Sequence, residues 1–348
     1  MKELSFPGDE LIHNHSIEWW YWNGHLQDRQ GRKYSYMNCL FHAKLKEVQF
    51  PFIRSVPVDK IFFSHSLLSD ISRKKFIAHV DFINLMSRDS FRRPLLFINY
   101  ANPILVDGFL NKVMERTDQQ TYHIKNENVD LQLVSTKKPL LTGGQGYVRL
   151  MPGRSSFYYS LTNLRTSGFI TVKNNRIPVT GQSWMDHQWA NVKYIKDRWT
   201  WFSVQLENNI ELVCYEYGHS SNTVKQASII LQNGRQFHTK DIHISSGNNK
   251  WTSPKTKAEY PLEWFVEIPE YKIKIRLCAN LSRQEMVYGT INYWEGSLTV
   301  SGNMGNKRVT GHAFAELVGY PAEISNYKFI KSSITDIIRK GWDIVKRR

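Results

Sequence analysis

Gly181-Gln182-Ser183-Trp184-Met185-Asp186-His187-Gln188-Trp189 sets an acid, a base and two indoles side by side. Drawn out as a strand, its side chains alternate between faces. Trp184, Asp186 and Gln188 then share one surface, and Met185, His187 and Trp189 the other. His187 has an indole on its own side, while Asp186 reaches a neighbouring shell. An imidazole beside an indole wall suits chemistry on an apolar molecule, because a ring face holds a cation or a flat unsaturated ligand. The plainer alternative is a core in which Asp186 only orients His187, since buried polar groups usually satisfy one another.

Outward from this stretch the chain keeps the strand rhythm. Phe169 to Val172, then Lys173-Asn174-Asn175-Arg176, then Ile177 to Thr180 reads as a hairpin with an Asn-rich turn. Trp201 to Leu206, Glu207-Asn208-Asn209 and Ile210 to Tyr217 read as another. Ser228 to Leu231 leads into Gln232-Asn233-Gly234-Arg235, whose Asn-Gly pair permits a type I′ turn. Helical periodicity is nearly absent before residue 330. The aromatic content, 11 Trp, 17 Tyr and 18 Phe, also favours strands. An all-β chain of sandwich or barrel type is expected.

Its 348 residues suit two domains, and the motifs recur in order. Val179-Thr180-Gly181 is matched by Val309-Thr310-Gly311, and Ser167-Gly168 by Ser301-Gly302. Trp19-Trp20-Tyr21-Trp22 is matched by Trp199-Thr200-Trp201-Phe202. Two related barrels follow, 1–192 and 193–327. Residues 328–348 are a different object. Ile334, Ile337, Ile338, Trp342 and Val345 form an apolar stripe opposite Lys331, Arg339, Lys340, Lys346, Arg347 and Arg348. This predicts a basic amphipathic C-terminal helix, able to touch an anionic membrane surface or to pack on a barrel.

Other classes are excluded. A third of the net charge of +15 sits in that tail, and no basic tract or nucleic-acid motif interrupts the body. Cys39, Cys214 and Cys278 have no metal or redox spacing and fit a reducing compartment. The first residues lack a signal-peptide core, and no stretch reaches the length of a membrane span. A cytoplasmic protein, peripheral to the membrane at most, is expected. Gly181-Gln182-Ser183-Trp184-Met185 lacks the second Gly of a nucleophile elbow, which argues against a serine hydrolase. His13-Asn14-His15 is half a metal site without a partner motif and reads as exposed loop; no metal and no cofactor are expected. Glu18 and the Trp19–Trp22 run read as scaffold closing one end of a barrel, and Tyr293, Trp294 and Glu295 as the same in the second.

Taken together, Glu18-Trp19-Trp20-Tyr21 with Gly24-His25-Leu26, the 179–189 block, Trp199-Thr200-Trp201-Phe202-Ser203, and Tyr293-Trp294-Glu295-Gly296 with Glu316-Leu317-Val318-Gly319-Tyr320 resemble a known family. It is the lipocalin-like hydroxyneurosporene synthase (carotenoid 1,2-hydratase) family, which includes attachment-locus proteins; decalin-forming Diels–Alderases look like distant members. The resemblance covers about residues 15–320. It implies two lipocalin-like antiparallel β-barrels side by side, with an apolar pocket at their junction. It also implies that His187 and Trp189 matter for activity and that an acid on the following strand, here Glu216, protonates an alkene. Ala190 and His312-Ala313-Phe314-Ala315 depart from the family pattern.

The implied reaction is hydration of a C=C bond in an elongated isoprenoid, carotenoid-like or polyene molecule. Such a reaction needs a strong proton donor and a surface that holds a tertiary carbocation. A carboxylic acid in an apolar pocket keeps its proton, and aromatic faces stabilise the cation. Glu216 or Asp186 is the expected acid and His187 the base for water. Trp184, Trp189, Tyr215 and Trp201 are the expected wall. A cyclase shaping a polyene and a carrier of lipid or isoprenoid are the alternatives.

Overall fold

The computed structural model describes residues 3–44, 59–102, 112–151, 153–191, 198–219, 222–288 and 291–320. The C-terminal helix predicted for 328–348 lies outside the described residues. Within them the chain is all-β apart from three short 3-10 turns, and every strand pair is antiparallel. Two large curled sheets carry the architecture.

The sheets are built to one plan. In the first, the strand Ile17–Asp28 lies between its successor Lys33–Lys44 and the returning strand Asn175–Ala190, which pairs in turn with Arg154–Val172. In the second, Trp199–Leu206 lies between Glu211–His219 and the returning Lys307–Val318, which pairs with Ile291–Met304. The repeated motifs mark equivalent crossings. A Cβ on Gly181 would meet the His25 carbonyl oxygen at 2.0 Å, and one on Gly311 would meet that of Gln205 at 2.2 Å. Those approaches admit no side chain, so glycine recurs where the closing strand crosses the opening one.

Alternation along the strands fills three cores. Trp20, Trp22, Tyr159, Met185 and Trp189 point inside the first sheet. Phe202, Val204, Cys214, Trp294 and Leu317 point inside the second. The opposite faces of the same strands meet between the sheets, where Tyr21, Cys39, Tyr158, Trp184, Trp201, Tyr215, Tyr293 and Phe314 pack together. Each large side chain buried this way stabilises by about 1.5–3 kcal/mol.

The turn at Lys173-Asn174 is a two-residue hairpin with both residues at positive φ, as type I′ requires. The Asn233-Gly234 turn differs from expectation. Among its residues only Gly234 has positive φ, and the loop spans from Leu231 to Arg235, which hydrogen-bond each other. The longer loop removes the need for a left-handed Asn.

Candidate active site

The strand Asn175–Ala190 presents a polar cluster on each face. On the junction face, Asp186 stands opposite Tyr21 on one side and Ser160 on the other. Its carboxyl accepts from Ser160 Oγ at 2.5 Å, Trp184 Nε1 at 2.6 Å and Tyr158 Oη at 2.8 Å. Tyr158 in turn accepts from Trp201 Nε1 at 2.8 Å, which leaves its own proton for Asp186. An indole N–H can only donate, so the surrounding groups favour the carboxylate form of Asp186. Burial opposes them and pushes its pKa up to about 7.

Across the junction stand two more acids. Glu295 and Glu316 are directly opposed on paired strands, Glu295 fully buried and Glu316 mostly so. Glu316 accepts from Trp199 Nε1 at 2.5 Å, and Glu295 accepts from Tyr21 Oη at 2.7 Å. Burial pushes Glu316 up to about 7. Burial and the adjacent Glu316 push Glu295 well above the ordinary carboxyl value. Two facing carboxylates repel, so the arrangement favours one shared proton, carried on Glu295 and donated to Glu316. The ring of Tyr21 meets Trp201 edge to face at 5.5 Å.

The inner face of the same strand carries His187. Its Nε2 lies 2.8 Å from Glu18 Oε1, and its Nδ1 lies 3.3 Å from Tyr159 Oη. His13 Nδ1 reaches the same Glu18 oxygen at 2.7 Å, and its Nε2 faces Asp9 at 3.2 Å. The His13 ring is stacked on Trp189, with centroids 3.8 Å apart and planes 5° from parallel. Trp20 stacks on His187. Burial pushes Glu18 up, but hydrogen bonds from His13 and His187 carry it below its ordinary value. Burial lowers His187 despite the Glu18 carboxyl.

The residues expected at one site therefore divide. Asp186, Trp184, Trp201 and Tyr215 come together at the junction, the last two as cross-strand neighbours. His187 and Trp189 lie on the opposite face, inside the first sheet. Glu216 joins neither group. Alternation turns it away from Tyr215 and Tyr217, and its half-buried carboxylate pairs with Lys225 Nζ at 2.9 Å. His13 is not in an exposed loop: its side chain is 16% exposed and docks on Glu18. Two grooves, of 340 and 480 Å³, lie elsewhere. The first runs past Phe6, Glu10, Arg116 and Tyr122, the second past Lys137, Asn163 and Arg165.

Sequence reasoning missed Glu295, Glu316, Tyr21 and Tyr158. A signal was present for the two acids: each sits in an apolar strand, at the parity of buried junction residues such as Tyr293 and Phe314.

Comparison with known proteins places the chain as a whole. The profile of the AttH-like family matches residues 1–320. Kievitone hydratase of Fusarium solani subsp. phaseoli is 26% identical over 254 residues, 68% of this chain and 72% of that protein. Dehydratase asqC of Emericella nidulans is 27% identical over 209 residues, 56% of this chain and 58% of that protein. Among solved structures, an AttH protein of Nitrosomonas europaea superposes with a TM-score of 0.73 at 23% identity, over 92% of this chain and 98% of that one. That likeness extends to the whole two-sheet fold.

Proposed function

The chain belongs to the AttH-like family, and on that premise we propose that it is a hydro-lyase acting across a C=C bond of an elongated apolar molecule. Relatives named as a hydratase and a dehydratase support the reaction class. The observation that carries the reading is the Glu295–Glu316 pair, two facing carboxyls set in an aromatic junction. Isoprenoid or polyene substrates suit that wall, and carotenoid-type chains are one member of the class.

In the hydration direction, Glu295 gives its proton to one alkene carbon and the electron pair of the C=C bond forms the new C–H bond. The faces of Tyr21, Trp201 and Tyr158 hold the resulting cation. Water forms the C–O bond, and its proton passes to the Asp186 or Glu316 carboxylate. Transfer from Glu316 back to Glu295 restores the starting state. The reverse order removes water. His187 and Trp189 act on this site as positioning residues, because they brace the strand that carries Asp186 from its other face.

Incubation with a panel of acyclic isoprenoids and prenylated aromatics, followed by mass spectrometry, tests the reading. A product heavier or lighter by one water supports it. An isomer of unchanged mass would replace it with a cyclase, and bound ligand without any product would replace it with a carrier.

A further inference from the structure

The inner-face cluster touches no reacting atom in that chemistry, and its geometry points to another occupant. We propose that His13, Glu18 and His187 form a binding site for one divalent transition-metal ion of the zinc type.

Three ligand atoms converge there. His13 Nδ1, Glu18 Oε1 and His187 Nε2 all lie within 4.8 Å of one another. Two imidazoles and one carboxylate are a donor set suited to zinc and its neighbours, which bind N and O ligands at about 2.0–2.2 Å. The second ring nitrogen of each histidine is engaged on the far side. His13 Nε2 faces the Asp9 carboxylate, and His187 Nδ1 faces the Tyr159 hydroxyl. Ligating histidines carry this outer support, because it fixes the tautomer that turns the other lone pair toward the ion. The rings are also clamped by stacking, His13 on Trp189 and His187 on Trp20.

A second observation comes from His42. It is fully buried with its Nδ1 4.0 Å from Glu18 Oε2, yet neither ring nitrogen has a hydrogen-bond partner among the described residues. Leaving a buried imidazole unpaired is costly. A water or fourth ligand at the ion would satisfy it. The present spacings of 2.7 and 2.8 Å are those of hydrogen bonds, so seating an ion requires Glu18 to part from each histidine by roughly half an ångström. Only His13, on the segment preceding the first strand, is partly exposed, and it gives the ion its way in. The ion would tie that segment to the two central strands.

The site answers the half-motif His13-Asn14-His15. Its partners are Glu18 and His187, which no local spacing could connect.

The test uses the full-length protein, stripped with chelator and titrated with zinc against a chromophoric competitor, with cobalt absorbance as a second probe. One equivalent is expected to bind and to raise the melting temperature, as preferential binding to the folded state requires. Glu18→Gln and His187→Ala should each weaken binding by ~100-fold or more. His13→Ala, at the partly exposed edge, should weaken it by ~10–100-fold and keeps the test valid if a buried variant fails to fold. His123→Ala is the control, since His123 with Glu115 and Asp130 forms a surface cluster; it should change nothing. No binding by the folded protein would overturn the proposal and leave a proton-only network. Binding that survives His13→Ala and Glu18→Gln would overturn it equally.

Discussion

The two half-barrels answer the same architectural question with different residues. The step from Gly181 to Asp186 equals that from Gly311 to Glu316. Both acids face the junction from equivalent positions, opposite Tyr21 in one half and Trp201 in the other. What differs is the neighbour on the second side. Asp186 meets Ser160, a donor that eases an anion, whereas Glu316 meets Glu295, an acid that shares a proton. The inner faces diverge as sharply. His187 and Trp20 in the first half correspond to Leu317 and Thr200 in the second, so one barrel encloses a His–Glu network and the other an ordinary apolar core. A common scaffold thus places residues, and single register positions decide their chemistry.

The largest effect is expected where the halves differ most in charge. Glu295→Gln and Glu316→Gln should each reduce turnover by ~100- to 10,000-fold, the usual contribution of a general acid, while near-UV circular dichroism stays native. Turnover within a factor of a few would move the acid elsewhere. On the inner face the loss should appear in stability instead. Trp189→Ala removes a fully buried indole stacked on His13 and should cost about 3–5 kcal/mol in urea denaturation.

A smaller effect separates the acids by pH. Asp186 and Glu316 have ordinary values of 3.8 and 4.5, raised to about 7 in the fold. The folded state therefore holds their protons more tightly than the unfolded chain does. Their contribution is fully present below the unfolded values and is lost as pH rises through about 7. Asp186→Asn and Glu316→Gln should each reduce the stability change between those limits by roughly 3–4 kcal/mol. A slope that steepens instead would mean that both groups are ionised in the fold. The smallest effect belongs to Glu216. Its partly exposed pair with Lys225 should contribute no more than about 1 kcal/mol, and Glu216→Gln should leave turnover within about two-fold; a large loss would restore it as the acid.

Much of this fold was legible in the sequence. Strand alternation over 184–189, the Lys173-Asn174 hairpin and the repeated Val-Thr-Gly steps are local patterns, and local patterns survive folding. The candidate site was legible only in part. Alternation already separated Asp186 from His187, yet both were expected to serve one pocket. Glu295 and Glu316 appeared as scaffold because their meeting depends on strand register, which aligns residues 21 positions apart across a hairpin. Tyr21 reaches Glu295 from 274 residues away. Glu216 was chosen for following the Asp-His-x-Trp block, but strand parity turned it away from Tyr215.

The claim that a proton resides on the Glu295–Glu316 pair is open to infrared spectroscopy on the intact protein near neutral pH. A protonated-carboxyl C=O band should be present and shift in heavy water, and it should lose intensity in Glu295→Gln, the remainder belonging to Asp186, while Glu18→Gln leaves it unchanged. Absence of the band, or full intensity in Glu295→Gln, would contradict the account.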